Sequence, residues 1–297
     1  MKKYVMIGLC LINSLNCMEQ PLLEHKPQRE PREWDAYAYE NGNDFQTTAF
    51  LYFLDQNKIT IENRTIFDFG CGTGKLSAEI AKKATHVHGT DASKNMIDFA
   101  INKYGHIKNL SFEHCFAEDF QSLNLRQLAV ASFCVHWIED KKCAFQRIHD
   151  SLAPNGEFFA NVRTSDNLPL EIIVATEMMP YITQTISFLT NKTALELSGS
   201  SYPSRNELFI MLKETGFDIL KLEEQSYYHE ISEDELRILQ WPIISSRPVI
   251  KHLPEPLQKY LFKDFIDRYL NKLQQTDNGK FLDTYSAVII HARKKKK

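Results

Sequence analysis

The stretch Asp68-Phe-Gly-Cys-Gly-Thr-Gly74, the acid Asp91 and the pair His136-Trp137 are the residues whose types and spacing could do chemistry in this chain. Gly70, Gly72 and Gly74 remove Cβ atoms where a backbone must turn sharply and let a ligand lie against it. An apolar strand over Arg64–Phe69 leads into them and a helix over Lys75–Lys83 leads out, which is the layout of a cradle for a nucleotide-like ligand. The dinucleotide fingerprint Gly-x-Gly-x-x-Gly would need glycine at position 75, where this chain has Lys75, so the spacing speaks against nicotinamide chemistry. Asp91 ends the short strand His86–Asp91, where a carboxylate can accept both hydroxyls of a ribose. Capping of the following helix, Ser93–Lys103, by Asp91 or Ser93 is the structural alternative.

These residues need a parallel sheet to bring them to one edge, and the chain supplies its strands in order. Leu110–Phe120 gives a third strand and its loop, and Leu128–Trp137 is a nearly continuous apolar run that suits a strand buried on both faces. His136-Trp137 then stands at the carboxyl edge, where open α/β sheets bind ligands. A helix over Cys143–Leu152, the turn Ala153-Pro-Asn-Gly156 and a fifth strand Glu157–Val162 follow. Beyond them come a helical stretch 168–197, a helix Glu207–Thr215 ending at Gly216, a sixth strand Phe217–Gln225, and a helical insertion to about Gln275 opened by the capping box Ser232-x-x-Glu235. Thr284–Arg293 reads as an antiparallel seventh strand. The fold class is therefore α/β, a Rossmann-like, seven-stranded, mostly parallel sheet with an antiparallel last strand. An N-terminal helix begins near Asp44 after the aromatic segment Trp34–Tyr39, with Gln46 a lone amide among apolar neighbours.

Composition bounds the partners. The chain has 297 residues, 43% of them hydrophobic, enough for one large domain with elaborations, and a formal net charge of -3. That charge argues against a nucleic-acid partner, and no apolar run is long enough to span a membrane as a helix. Four cysteines, Cys71, Cys115, Cys134 and Cys143, fall in or beside core elements without close pairing, which suits a reducing compartment and speaks against a metal site. Residues 1–20 carry the charge and apolar run of a possible signal or leader segment, so cytoplasmic residence and export are both open readings. Residues 21–33 read as a linker, 34–293 as the domain (core 60–165, cap segments 168–200 and 231–275), and 294–297 as a basic tail. Oligomeric state leaves no sign in the sequence.

Acid-x-Gly-x-Gly-x-Gly resembles motif I of the class I S-adenosylmethionine (SAM) dependent methyltransferases, and the later motifs fall in the family's order. The layout from Trp34 to Arg293 resembles the trans-aconitate, juvenile-hormone-acid and malonyl-carrier-protein O-methyltransferases. The resemblance implies SAM as cofactor, held by Asp68, Gly70, Cys71, Gly72, Gly74, Asp91, Ala92, Met96, Ala117, Glu118 and Phe133. It implies O-methylation of a small-molecule carboxylate, with N- or O-methylation of another small-molecule or protein acceptor the alternative, Gln46, His136 and Trp137 as the catalytic candidates and no metal. One departure stands out. The acid that relatives place before Ala117-Glu-Asp-Phe120, expected to meet the adenine amino group, is Phe116 here, so that Glu118, Asp119 or backbone and stacking replace it, or the site has weakened toward an inactive SAM-binding protein. Tyr37 and Tyr39 are candidates for the lid, and Tyr181, Phe188, Tyr227, Tyr228 and Trp241 for an apolar substrate cap, with plain core packing the alternative for each.

Overall fold

Alternation along the central strands decides the layering. In β1 (Thr65–Phe69), Ile66 faces one apolar cluster while Phe67 and Phe69 face another, and β4 (Arg126–Ser132) divides in the same way between Leu128 and Val130 on one side and Ala129 and Ala131 on the other. A strand buried on both faces needs helices on both, and the chain supplies α1 (Ala36–Gly42), α2 (Asp44–Gln56), α3 (Lys75–Ala81), α4 (Lys94–Tyr104), α5 (Lys141–Ser151) and α6 (Arg205–Glu214). The computed structural model describes residues 34–42, 44–122, 124–168, 170, 173–178, 202–245, 250 and 253–295. The leader, the linker, most of the 168–200 cap segment, including Tyr181 and Phe188, and Lys296-Lys297 of the tail lie outside the described residues.

With β2 (His86–Asp91), β3 (Leu110–His114), β5 (Leu152–Val162), β6 (Phe217–Ile231), β7 (Gln274–Gln275) and β8 (Phe281–Lys294), the sheet runs β3-β2-β1-β4-β5-β8-β6, and β7 pairs with β8 off that path. The five strands from β3 to β5 are parallel, and β8 is antiparallel to both of its long neighbours. This is the expected Rossmann-like architecture, with seven strands on the main path and the two-residue β7 as an eighth. The order reverses between β1 and β4, which opens a crevice at their carboxyl ends.

Three boundaries differ from the sequence reading. The fourth strand ends at Ser132, and His136-Trp137 sits in a single 3-10 turn, Val135–Trp137, because Phe133 adopts a left-handed backbone (φ 55°) and turns the chain out of the sheet. The sixth strand extends to Ile231, since every residue from Gln225 to Ile231 pairs with β8. The turn at Ala153–Gly156 lies within β5, whose Leu152 already pairs with Arg126. The capping box at Ser232 is present, with Ser232 N–H donating to Glu235 (2.8 Å) and Glu235 N–H to Ser232 Oγ (3.2 Å). It opens α7 (Glu233–Ser245), and with α8 (Glu255–Leu270) this insertion builds a third cluster around Leu236, Phe265, Ile266 and Tyr269.

At the sheet edge opposite the glycine loop, Glu157 gathers Arg64 (2.7 Å), Arg293 (3.2 Å) and His291 (3.3 Å), which joins the approach to β1 with β5 and β8. The hydrogen bond from His291 and those from the two arginines hold the Glu157 carboxyl down at about 2, although burial opposes them. A carboxylate depressed in the folded state stabilises it above its unfolded value, 4.5, and the contribution is lost as pH falls toward about 2. Glu157→Gln is therefore expected to cost about 1–3 kcal/mol near neutral pH, with the gap from wild type closing in acid. Urea unfolding at neutral and at acidic pH checks both.

Candidate active site

The glycine loop is fixed by β2 rather than by itself. Gly70 and Cys71 both donate their N–H groups to Thr90 O (2.8 and 2.9 Å), and Gly72 N–H donates to Asp91 Oδ2 (2.9 Å). Asp91 Oδ1 accepts from Ser93 N–H (2.9 Å), and Ser93 in turn caps α4, so the helix is capped by Ser93 and the acid at the strand tip ties loop to helix. The glycines do different jobs. A Cβ on Gly70 (φ 69°) would lie 2.4 Å from the Cys134 Cβ, so glycine is needed for close packing on the β4 exit. At Gly72 (φ 55°) an added Cβ would meet only Tyr39, 3.8 Å away, which leaves the loop open on that side to a ligand.

A cavity of about 80 Å³ lies against this loop. Gln46, Gly70, Gly72, Asp91, Met96, Phe133, His136 and Trp137 line it, and the sequence reading marked all eight. Trp34, Tyr39, Ser132, Cys134, Arg163 and Tyr202 line it as well. Tyr39 is a lid candidate from the sequence, Trp34 belongs to the same aromatic segment and Ser132 and Cys134 to the run Leu128–Trp137, while Arg163 and Tyr202 come from places without a motif. Arg163 is the instructive miss: it stands immediately after β5, at the carboxyl edge where such sheets bind ligands. Asp68, Cys71, Gly74, Ala92, Ala117 and Glu118 do not border the cavity. Gly74 sits beneath the Phe112 ring, 2.6 Å from where its Cβ would be, and Cys71 fills the space that Gly89 leaves on β2. Glu118 accepts from Asp140 N–H (3.3 Å) at the start of α5, while its backbone oxygen takes Arg147 Nε (3.0 Å). Tyr37 is 71% exposed against Phe99, Tyr228 is 63% exposed, and Trp241 packs on Phe262. None of these three lines the cavity.

The wall over the loop is aromatic. Trp34 contacts Tyr39 and Trp137 edge-on at 5.7 and 5.5 Å, and His136 stacks on Tyr202 at 5.4 Å and leans on Trp137 at 5.1 Å. Faces and edges of this kind suit a cationic ligand in a site that excludes water. Tyr39 donates to Gln46 Oε1 (2.5 Å), which turns the Gln46 amide so that its NH2 is the donating end, and burial pushes the Tyr39 phenol far up. Arg163 is held by its Nε–H donating to Tyr285 Oη (3.2 Å), with the guanidinium over the Tyr285 ring at 4.8 Å. Beneath the loop, Asp68 is fully buried. One oxygen accepts from Ser77 Oγ (2.5 Å), and the other, Oδ1, makes no hydrogen bond. Burial first, with the nearby Asp91 charge adding to it and Ser77 opposing it, lifts its pKa to about 7.

The fold is the Rossmann-like one of the class I SAM-dependent methyltransferases. Residues 66–156 match the family model described as a methyltransferase domain. The chain is 24% identical to juvenile hormone acid O-methyltransferase of Drosophila melanogaster over 281 residues, covering 87% of this chain and 92% of that protein. It is 30% identical over 131 residues to 235L of Invertebrate iridescent virus 6, where the match spans 42% of this chain and only about half (47%) of the viral protein. The crystal structure of YcgJ from Bacillus subtilis shares the fold, with a TM-score of 0.53, 15% identity, and coverage of 83% of this chain and 98% of that one. The chain carries the methyltransferase domain of the class I SAM-dependent enzymes, and SAM is its cofactor. The residues present fit that cofactor: a loop open at Gly72, the Asp91 carboxylate at the strand tip and an aromatic wall.

Two outcomes test this site. Asp91→Ala is expected to weaken binding of S-adenosylhomocysteine (SAH) about a hundredfold, read by calorimetry, since it loses a charge-assisted acceptor and loosens Gly72. Asp68 gives a pH signature in stability. A carboxyl raised by burial opposes folding increasingly as pH climbs from 3.8 to about 7. The stability of wild type relative to Asp68→Asn should therefore fall over that range and level off above about 7, and urea unfolding at a series of pH values checks it.

Proposed function

We propose that the protein O-methylates the carboxylate of a small molecule. The observation that carries this reading is that two groups, the Gln46 amide and the Arg163 guanidinium, border both the cavity at the glycine loop and a second cavity of about 230 Å³ under the insertion. Donors shared by two chambers suit an anionic group held at their junction. The relation to juvenile hormone acid O-methyltransferase, which extends over most of both chains, supports the same chemistry.

When bound, SAM supplies a methyl group made electrophilic by its sulfonium. A carboxylate is already ionised at neutral pH, so the chain has no proton to remove and needs no general base. Its residues act by proximity and alignment. The Gln46 NH2 and the Trp137 indole N–H donate to the acceptor carboxylate, Arg163 attracts and orients it, and the ring wall of Trp34, Tyr39, Trp137 and Tyr202 keeps water out. His136, 3% exposed and stacked on Tyr202, holds the turn that presents Trp137. The acceptor chamber is apolar on one side, with Phe45, Leu170 and Leu239, which suits a small organic acid rather than a nucleic acid. No helix among the described residues is long and apolar enough to cross a membrane. The four described cysteines are free thiols, which supports work in a reducing, SAM-containing cytoplasm.

Methyl transfer from labelled SAM to a panel of carboxylic, amino and phenolic acceptors tests the proposal. Esters are the expected products, and SAH binding without turnover on any acceptor would instead favour an inactive SAM-binding protein. On the best acid, Gln46→Ala and Trp137→Phe should each lower kcat/KM about tenfold to a hundredfold while SAH affinity stays near wild type. Arg163→Lys should act mainly on KM for the acid, because lysine lacks the planar fork that pairs two carboxylate oxygens.

A further inference from the structure

The second chamber is lined by polar as well as apolar side chains. Gln240, on α7, is 3% exposed and lines the chamber, and its Oε1 makes no hydrogen bond. Asp283, on β8, is 5% exposed and lines the same space. Its two oxygens share the Tyr269 hydroxyl at 3.2 Å each, and Oδ1 also takes the Thr284 N–H at 2.8 Å. A carboxylate offers more acceptor sites than these donors fill. Buried carbonyl and carboxylate oxygens are costly to leave unmatched, and proteins rarely keep one without a use. Both groups are acceptors and both come from elements outside the cofactor-binding half. A purely apolar tail in this chamber would leave the Gln240 oxygen desolvated and unbonded.

Resting on the carboxylate reading above, we propose that the acceptor is a bifunctional acid: beside the carboxylate held at Gln46 and Arg163, it carries a hydrogen-bond donor, a hydroxyl or an ammonium, that Gln240 Oε1 and Asp283 accept. The chamber then selects substrates by that donor, and the apolar residues Phe45, Leu170 and Leu239 receive the chain between the two polar groups. Arg163 and Asp283 give the chamber opposite charges on one lining, which matches a molecule with a negative and a donating end. A site built to meet a donor discriminates strongly against the analogue lacking it, because the acceptor is left unpaired.

The test compares matched straight-chain acids, from short to long, in three forms: unsubstituted, ω-hydroxy and ω-amino. Each is assayed with the full chain for methyl-ester formation and for binding by calorimetry in the presence of SAH. Donor-bearing acids are expected to exceed the unsubstituted acid of equal length about tenfold or more in kcat/KM. Gln240→Leu should reverse that order, raising the unsubstituted acid and lowering the donor-bearing one, with SAH affinity unchanged. Gln240→Met serves should leucine impair folding. Asp283→Asn separates the donors: loss confined to ω-amino acids identifies an ammonium, and equal small losses identify a hydroxyl. Unsubstituted acids turning over best, or a preference that survives both Gln240 variants, would overturn the inference while leaving carboxylate methylation intact. Failure of every acid to bind or react would remove the carboxylate reading and this inference with it.

Discussion

The carbonyl of Thr90 and the carboxylate of Asp91 are what the glycine loop hangs from. Three successive N–H groups, those of Gly70, Cys71 and Gly72, would otherwise face the crevice without partners, and the tip of β2 accepts all of them. Buried amides need such partners, and here the partners lie on the neighbouring strand. The bonds set the height of the loop relative to the sheet edge, and Gly70 then brings the loop within reach of Cys134 at the exit of β4. Cofactor loop, ribose acid and the turn bearing His136 and Trp137 are thus one connected piece of backbone. The strained φ of Phe133 belongs to the same piece: its N–H donates to Asn161 Oδ1 (3.0 Å), so β5 holds the residue that turns the chain out of β4.

Legibility in the sequence follows the range of the interactions. Strands β1 to β5 and the glycine loop were readable because each is announced locally, by an apolar run with a turn residue at its end. The exit of β4 was not, since a phenylalanine gives no warning that it will take a left-handed backbone, and the apolar run continues past it into Val135-His-Trp137. The length of β6 was hidden for another reason. Gln225–Ile231 mixes polar and aromatic residues, and what makes it a strand is pairing with β8, fifty or more residues later in the chain. The capping box at Ser232 nonetheless marked where that strand had to stop. Among site residues, most of those on motifs were found, whereas Arg163 and Tyr202 reach the cavity from stretches without a motif. Several family positions, Gly74 and Glu118 among them, serve the scaffold beside the cavity.

The two cavities divide the labour along the chain. The glycine loop, β2 and the β4 exit contribute to the cofactor end, while α7, α8 and β8 make half of the acceptor end, beside a cluster of their own. Gln46 on α2 and Arg163 after β5 belong to both. Substitutions in the insertion can therefore change what is accepted while the cofactor loop keeps its geometry, because its supporting bonds all lie within β1, β2 and the β4 exit.

The placement of β8 has a consequence for biosynthesis. This strand lies between β5 and β6, and it follows in chain order all the long strands. On the ribosome the five parallel strands can assemble as they emerge, yet β5 keeps a bare edge and β6 has no long neighbour until Phe281–Lys294 arrives. A nascent chain stalled before that point exposes two unpaired strand edges, the surfaces most prone to pairing with the wrong chain. Such a chain should depend on chaperones more than the finished protein does, and the demand should end when the last strand slots between its partners.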